Sequence, residues 1–362
     1  MVFVTEMDVD HTSFREVVEK LTELYGKRIA PFHQPIRENE KLVGYVNVVK
    51  MAGRRWIGDT AEAEDCEIPD YSRANLKICR EALMDAVAET SEEYMERYFA
   101  GEEFTEEEIK EALRENVCEG TMVPVTMGSA LEVRGVFNLL NDIVKYLPAP
   151  GRRTIIGENP LNGEPVEGCY DEQAPFSGYI FKTVVDPFIG KYSFVKVYNG
   201  ILKNDAVLYN HDKETNEKIS KLYILRGNKP IEITQAYPGD ICAIAKLGKA
   251  RTGDTISTKE APVVYEKTQL PKPYTCMRYR ACKKGDEDKI SQAFGKMMHE
   301  DLTMRMENDK ENHQLLLYGM GDVHLEVIVS RLANQYKVEV ELEKPKTAFR
   351  ETIRKKAQVQ GR

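Results

Sequence analysis

The chain has 362 residues, 42% hydrophobic and 30% charged, which is room for two to four domains with ample core and an ordinary globular composition. It contains no apolar run of about 18 residues, so no membrane-spanning helix is expected, and no basic, signal-like leader precedes the first element. The net charge of -8 is uneven: residues 1–171 hold 19 Lys+Arg against 34 Asp+Glu, residues 172–271 hold 14 against 11, and residues 272–362 hold 18 against 14. The later parts are therefore mildly basic, which permits contact with nucleic acid but is equally the pattern of a solvated surface.

In chain order, Met1-Val2-Phe3-Val4 reads as a strand buried on both faces of a parallel sheet. It breaks at Thr5 into a polar loop through Asp8. A helix follows, with Ser13 and Glu16 in capping-box spacing, Phe14, Val17, Val18, Leu21 and Leu24 on one face, and Gly26 at its end. Ligands of open α/β sheets sit at the carboxyl ends of strands, so Thr5 to Asp8 occupies a ligand-reading position. A parallel sheet that starts this way also implies strands upstream of Met1.

Leu42–Met51 reads as a strand with Gly44 inside it, Trp56–Tyr71 as an acidic loop, and Ser72–Gly120 as helical, with a second capping box at Thr105 and Glu108. Met122–Met127 is a second buried strand ending in Gly128-Ser129-Ala130. A helix over 133–146 follows, stopped by Pro148 and Pro150. Residues 1–150 thus hold two strand–loop–helix units with an insertion over about 30–120, and residues 151–173, rich in Gly, Pro and Arg, read as a linker.

From 174 to 271 the texture becomes short alternating strands with turns at Asn199-Gly200, Gly239-Asp240 and Gly253-Asp254, the expectation being a small antiparallel barrel. From 272 to 353 the order strand, helix, strand, strand, helix, strand predicts a ferredoxin-like α+β domain. A basic stretch, 354–362, closes the chain; it reads as solvated linker, with RNA phosphate contact as the other reading. The fold class is therefore multi-domain: α/β, then β-barrel, then α+β.

Seven scattered cysteines with no CxxC, and six histidines with no HxxxH pair, point to reduced thiols of a cytoplasmic protein and to no metal site. His324 has no nucleophile or metal partner within its motif and reads as a packed structural histidine. The methionines at 297, 298, 304 and 306 read as core filling.

At the two strand ends the chemistry is suggestive. An Asp such as Asp8 can accept two hydrogen bonds from the N1–H and N2–H of guanine, which adenine cannot reproduce, and a Ser129-Ala130 turn can offer backbone N–H groups to the base O6. On these residues the chain resembles the elongation factor G family of translational GTPases, and within it the proteins related to the tetracycline ribosomal-protection group. Thr5-Glu6-Met7-Asp8 aligns with the family's Asn-Lys-x-Asp, Ser129-Ala130 with its later Ser-Ala motif, and the helical insertion with its extra subdomain. Asp186-Pro187-Phe188-Ile189-Gly190 and the Gly-Asp turns match its second domain. Gly319-Met320-Gly321-Asp322-Val323-His324-Leu325-Glu326 matches the signature of its third, and Arg350-Glu351-Thr352-Ile353 the entry to its fourth. The resemblance runs in one order over essentially the whole chain.

The resemblance implies a partial P-loop-type G domain, a translation-factor barrel and a ferredoxin-like domain. It also implies GTP or GDP as the cofactor of the intact protein, and the ribosome, through rRNA and small-subunit protein, as partner, with no DNA and no membrane. Thr5, Asp8, Ser129 and Ala130 would form a degenerate guanine site. The departures are equally specific. No Gly-x4-Gly-Lys-Ser/Thr occurs and the switch segments are absent. Thr5 and Glu6 replace the family's Asn and Lys, each change weakening guanine binding by about 1–3 kcal/mol. The expectation is a chain that neither binds GTP usefully nor hydrolyses it: the central part of a translational GTPase active in translocation or ribosomal protection. The alternative is a stand-alone, non-enzymatic ribosome-binding paralogue that has lost nucleotide binding.

Overall fold

The computed structural model describes residues 1–58, 60, 62–186, 190–352, 355–356 and 358–361, so Pro187–Ile189 of the second-domain motif, Ile353, and Arg354 and Arg362 of the basic stretch lie outside the described residues. The chain forms two compact units, Met1–Arg152 and Arg153–Arg362.

In the first unit a three-stranded parallel sheet runs Val2–Val4, Val123–Met127, Ile29–Pro31, with Val2 opposite Val125 and Ile29 opposite Val123. Val2–Val4 is half-buried, not enclosed on both faces as expected, because it lies at the edge of this sheet. Helix Phe14–Tyr25 begins where Ser13 accepts the Glu16 N–H and ends at Gly26, whose φ of 76° a side chain rarely adopts. Phe14 packs with Met7, Ile29, Val125 and Met127 under the sheet.

An antiparallel sheet of His33–Glu38, Lys41–Asn47, Ala52–Trp56 and Ala63–Cys66 follows. Part of the stretch expected to be an acidic loop is thus the last strand of this sheet. Its acidic run hides the strand because it is an edge: Glu64 and Asp65 stay in water, and Asp65 stands opposite Arg54, paired at 3.1 Å. Helices Asp70–Ala88, Glu92–Phe99 and Glu106–Glu119 complete the insertion around Leu76, Leu83, Val87, Ile109 and Leu113. At Thr105 the capping box is complete: the hydroxyl takes the Glu108 N–H and the Glu108 carboxylate takes the Thr105 N–H. A bond from Arg97 and that N–H hold the Glu108 carboxyl down at about 2.

In the second unit the segment expected to be linker carries strands Ile155–Glu158 and Pro165–Gly168, a hairpin that pairs on its far side with Val264–Tyr265. Its turn sits at Asn162-Gly163, a hairpin signal masked by the surrounding Gly, Pro and Arg. An eight-stranded antiparallel sheet follows, with Ser177–Asp186 and Gly190–Asn199 as its long central pair, and a short pair, Leu202–Lys203 with Gln235–Ala236, beside it. Ile180, Val195, Leu208, Ile219, Leu222, Ile244 and Ile256 fill its interior. The two Gly-Asp turns are used alike. Gly239 and Gly253 both have φ of 94°, and the Asp240 and Asp254 carbonyls accept from Val197 N–H and Ile180 N–H, each at 3.0 Å.

Residues 275–343 form a second antiparallel sheet, in the order Arg305–Asp309, Gln314–Gly319, Thr275–Ala281, Val340–Glu343, with helices Glu287–Glu300 and Asp322–Tyr336. Phe294, Met297, Leu317, Leu325, Ile328 and Leu332 form its core. Glu300 ties the two sheets of this unit: it accepts the Val185 N–H at 2.7 Å and pairs with Arg331.

Candidate functional site

The parallel register of Val2–Val4 with Val123–Met127 brings the two loops with the sequence-predicted residues together at one end of the sheet. Gly128 N–H donates to Val4 O at 2.9 Å, and Met7 N–H donates back to Gly128 O at 3.2 Å. Gly128 is required there: a Cβ would stand 2.1 Å from Arg134 O and 2.9 Å from the Phe3 ring.

Thr5 and Ala130 meet directly, the Ala130 N–H donating to Thr5 Oγ1 at 3.2 Å. Ser129 is fully buried; its Oγ accepts the Glu132 N–H at 3.0 Å, and its own N–H donates to Arg134 O, also at 3.0 Å. Both turn amides expected to face a base are therefore already donating within the protein. Asp8 is half-buried at the end of the same loop, and Glu6 before it holds a left-handed φ of 61°. Arg37 crosses from the antiparallel sheet to bind the Met7 carbonyl at 2.7 Å and the Thr12 hydroxyl at 2.6 Å. The loop is thus tied to both sheets, and the Ser129 and Ala130 amides are engaged within the protein. Arg37 had no sequence signal: it acts through a carbonyl about 30 residues upstream, and only the fold reveals that.

In the second unit, Lys191, Lys213, Lys249, Arg251 and His299 line a cavity of about 370 Å³. Glu217, on strand Thr215–Lys218, builds its wall by accepting the N–H groups of Gly248, Lys249 and Ala250 at 2.7, 2.8 and 2.7 Å. Lys191 also reaches the Ala250 carbonyl at 2.8 Å. Burial first, then Lys191 and Arg251, push the His299 pKa down, as expected where cations converge. Such a cluster can hold a phosphate. These residues span more than a hundred positions, so no local motif marks them.

His324 opens helix Asp322–Tyr336. Its Nδ1 accepts the Met320 N–H at 3.0 Å, which leaves Nε2–H to donate to Asp301 at 2.8 Å. Burial raises the Asp301 pKa, but the bonds from Thr303 and His324 outweigh it and the net shift is downward. The ring joins two elements, as a structural histidine does. Gly319 makes room for it, since a Cβ there would lie 2.9 Å from Leu325 and 3.1 Å from His324 Nδ1. Among the described residues no group of three or more His, Cys, Asp or Glu is placed to hold a metal, and no helix is long and apolar enough to cross a membrane.

Residues 175–259 match the family model for elongation factor G domain 2, and residues 270–344 that for elongation factor G domain III. Elongation factor G of Thermotoga neapolitana is 35% identical over 362 residues, and that of Thermotoga maritima 34%, each alignment covering 99% of this chain and 52% of the relative. The chain spans about half the length of these curated relatives. A crystal structure of a Thermus thermophilus protein superposes with a TM-score of 0.79 at 28% identity, over 96% of this chain and 49% of that one. With two consecutive domain models matched and a collinear likeness along nearly its whole length, the chain belongs to the elongation factor G family.

Proposed function

We propose that this chain acts in protein synthesis on the ribosome, in the cytoplasm, as part of an elongation factor G-like translational GTPase engaged in translocation or ribosomal protection. In this reading residues 1–150 are the guanine-facing half of a P-loop-type G domain with its insertion, residues 174–271 a translation-factor barrel that meets ribosomal RNA and small-subunit protein, and residues 272–353 a ferredoxin-like domain that relays nucleotide state. The observation that carries it is the unbroken order of the likeness, 99% of the chain against elongation factor G. The cationic cavity around Lys191, Lys249 and Arg251 supports the RNA-facing role of the barrel. Sedimentation of the full chain with ribosomes across a salt series tests this. Binding should fall steeply between about 50 and 200 mM salt, as phosphate contacts do; absence of binding at low salt would overturn it.

A second feature shapes the reading of nucleotide. Thr5 Oγ1 holds the Ala130 N–H, and the sequence has no Gly-x4-Gly-Lys-Ser/Thr. GTP or GDP then belongs to the chemistry of intact relatives, and this chain by itself neither binds guanine nucleotide usefully nor hydrolyses it. The same feature favours, as the second reading, a ribosome-binding protein that works without nucleotide. Labelled GDP binding at micromolar protein would refute both statements about the site formed by Thr5, Asp8, Ser129 and Ala130.

A further inference from the structure

Within the first unit, helix Val136–Tyr146 and the antiparallel sheet enclose a polar cavity of about 300 Å³. His33 on the sheet and Asp142 on the helix are 3% and 6% exposed, and face each other, Nδ1 to Oδ2, at 3.6 Å. Neither of these atoms makes a hydrogen bond. Asn47 Nδ2 lies 3.5 Å from His33 Nε2; an amide nitrogen only donates, so Nε2 accepts and the ring proton sits on Nδ1, beside Asp142. A buried polar atom left without a partner costs about 1–3 kcal/mol, and two at one cavity mark a place built to receive something.

The rest of the lining says what. Lys50, Arg54 and Lys145 face the cavity with Asn138 and Asn141. Lys50 and Arg54 pair with exposed carboxylates at the rim, Glu106 at 3.8 Å and Asp65 at 3.1 Å. Lys145 lies close enough to act on both His33 and Asp142. Tyr45 closes one wall by donating to Asn138 Oδ1 at 3.1 Å. Within the lining itself three cations and several N–H donors stand against one carboxyl, and among the described residues Lys145 has no rim carboxylate beside it, a balance that favours an anion over a metal ion.

We propose that this cavity is a binding site for a small free oxyanion of the sulfate or phosphate type, held by Lys145, the Asn141 amide and His33 Nδ1–H. Asp142 enters the complex protonated and donates to the anion, so a proton is taken up on binding only where Asp142 is ionised beforehand. The groups facing Asp142 are His33 and Tyr45 from the sheet, Lys50 and Arg54 with Asp65 and Glu106 behind them, and Lys145 and Tyr146 from its own helix.

The test is calorimetric titration of the full chain with sulfate, which stays a dianion across the range used. Burial pushes Asp142 up to about 7, so from about pH 6 to pH 8 its protonated fraction, and with it the affinity, falls about tenfold. Asp142→Asn keeps a donor and loses the titration; it should bind at pH 8 as the native chain does at pH 6. Lys145→Ala, on the exposed side of the helix, should weaken binding severalfold at both pH values without disturbing the fold. No sulfate binding at either pH, or an unchanged pH dependence in folded Asp142→Asn, overturns the proposal. Should that variant not fold, unchanged affinity in Lys145→Ala overturns it instead.

Discussion

Replacing Glu217 tests how the cationic cavity of the second unit is built. Glu217 is 3% exposed and receives three consecutive backbone N–H groups, at 2.7, 2.8 and 2.7 Å. Hydrogen bonds to a charged acceptor contribute about 1.5–3 kcal/mol each against about 1 for a neutral one. Glu217→Gln removes the charge from all three and turns an NH2 against one of the donors. Relief of the buried charge offsets part of that loss, leaving about 2–3 kcal/mol. Glu217→Ala leaves the three amides without their acceptor and costs about 3–5 kcal/mol. The loss is local, since the carboxylate fixes Gly248–Ala250 to strand Thr215–Lys218. The single tryptophan, Trp56, lies in the other unit and will not sense it. Hydrogen exchange read by mass spectrometry is therefore the assay: in Glu217→Gln the Gly248–Ala250 amides should exchange about a hundredfold faster, the kinetic equivalent of about 2.7 kcal/mol. Unchanged protection at those amides would refute the reasoning, because it would mean that the strand, not the carboxylate, holds the loop.

The buried pair in the first unit makes a pH prediction. Burial raises the Asp142 pKa from 3.8 to about 7, so its contribution to stability is greatest below 3.8 and is lost as pH rises toward 7. Burial and Lys145 lower that of His33 from 6.5 to about 4, so its contribution is present above 6.5 and lost as pH falls toward 4. The two slopes oppose each other, and native stability should be nearly flat between these limits. Asp142→Asn should then gain stability with rising pH at about 1.4 kcal/mol per unit, read by urea unfolding through Trp56 fluorescence; parallel profiles for the two proteins would contradict this. Gly319→Ala forces a Cβ to within 2.9 Å of Leu325. It should lower stability by about 1–3 kcal/mol, seen in urea unfolding followed by circular dichroism, and an unchanged midpoint would mean that the helix shifts freely.

Much of the architecture was legible because hydrophobic period and turn chemistry agree. The order strand, helix, strand, strand, helix, strand expected over 272–353 is the order observed. Helix Glu106–Glu119 is marked by the capping box at Thr105 and Glu108. What escaped was structure whose pairing is distant or whose surface is wet. Ile155–Glu158 pairs with Pro165–Gly168 across a turn whose signal the surrounding Gly, Pro and Arg mask, and on its other side with Val264–Tyr265, about a hundred residues on. Ala63–Cys66 shows charge where a buried strand would show alternation. At the strand-end site, the sequence identified which residues would meet but not what they would do on meeting. That Thr5 occupies the Ala130 amide follows from a 3.2 Å contact across 125 residues, and substitution of an Asn by a Thr does not announce it. The cavity of His33 and Asp142 was silent as well, since a lone His and a lone Asp 109 positions apart carry no spacing to read.

We propose a chain of the elongation factor G family that docks on the ribosome while its own guanine site is closed. The measurement that tests it most directly is the ribosome affinity of the full chain, with and without a non-hydrolysable GTP analogue. Equal, salt-sensitive binding in both conditions is predicted. Binding only with the analogue would contradict the closed guanine site, and no binding in either condition would contradict the ribosomal role.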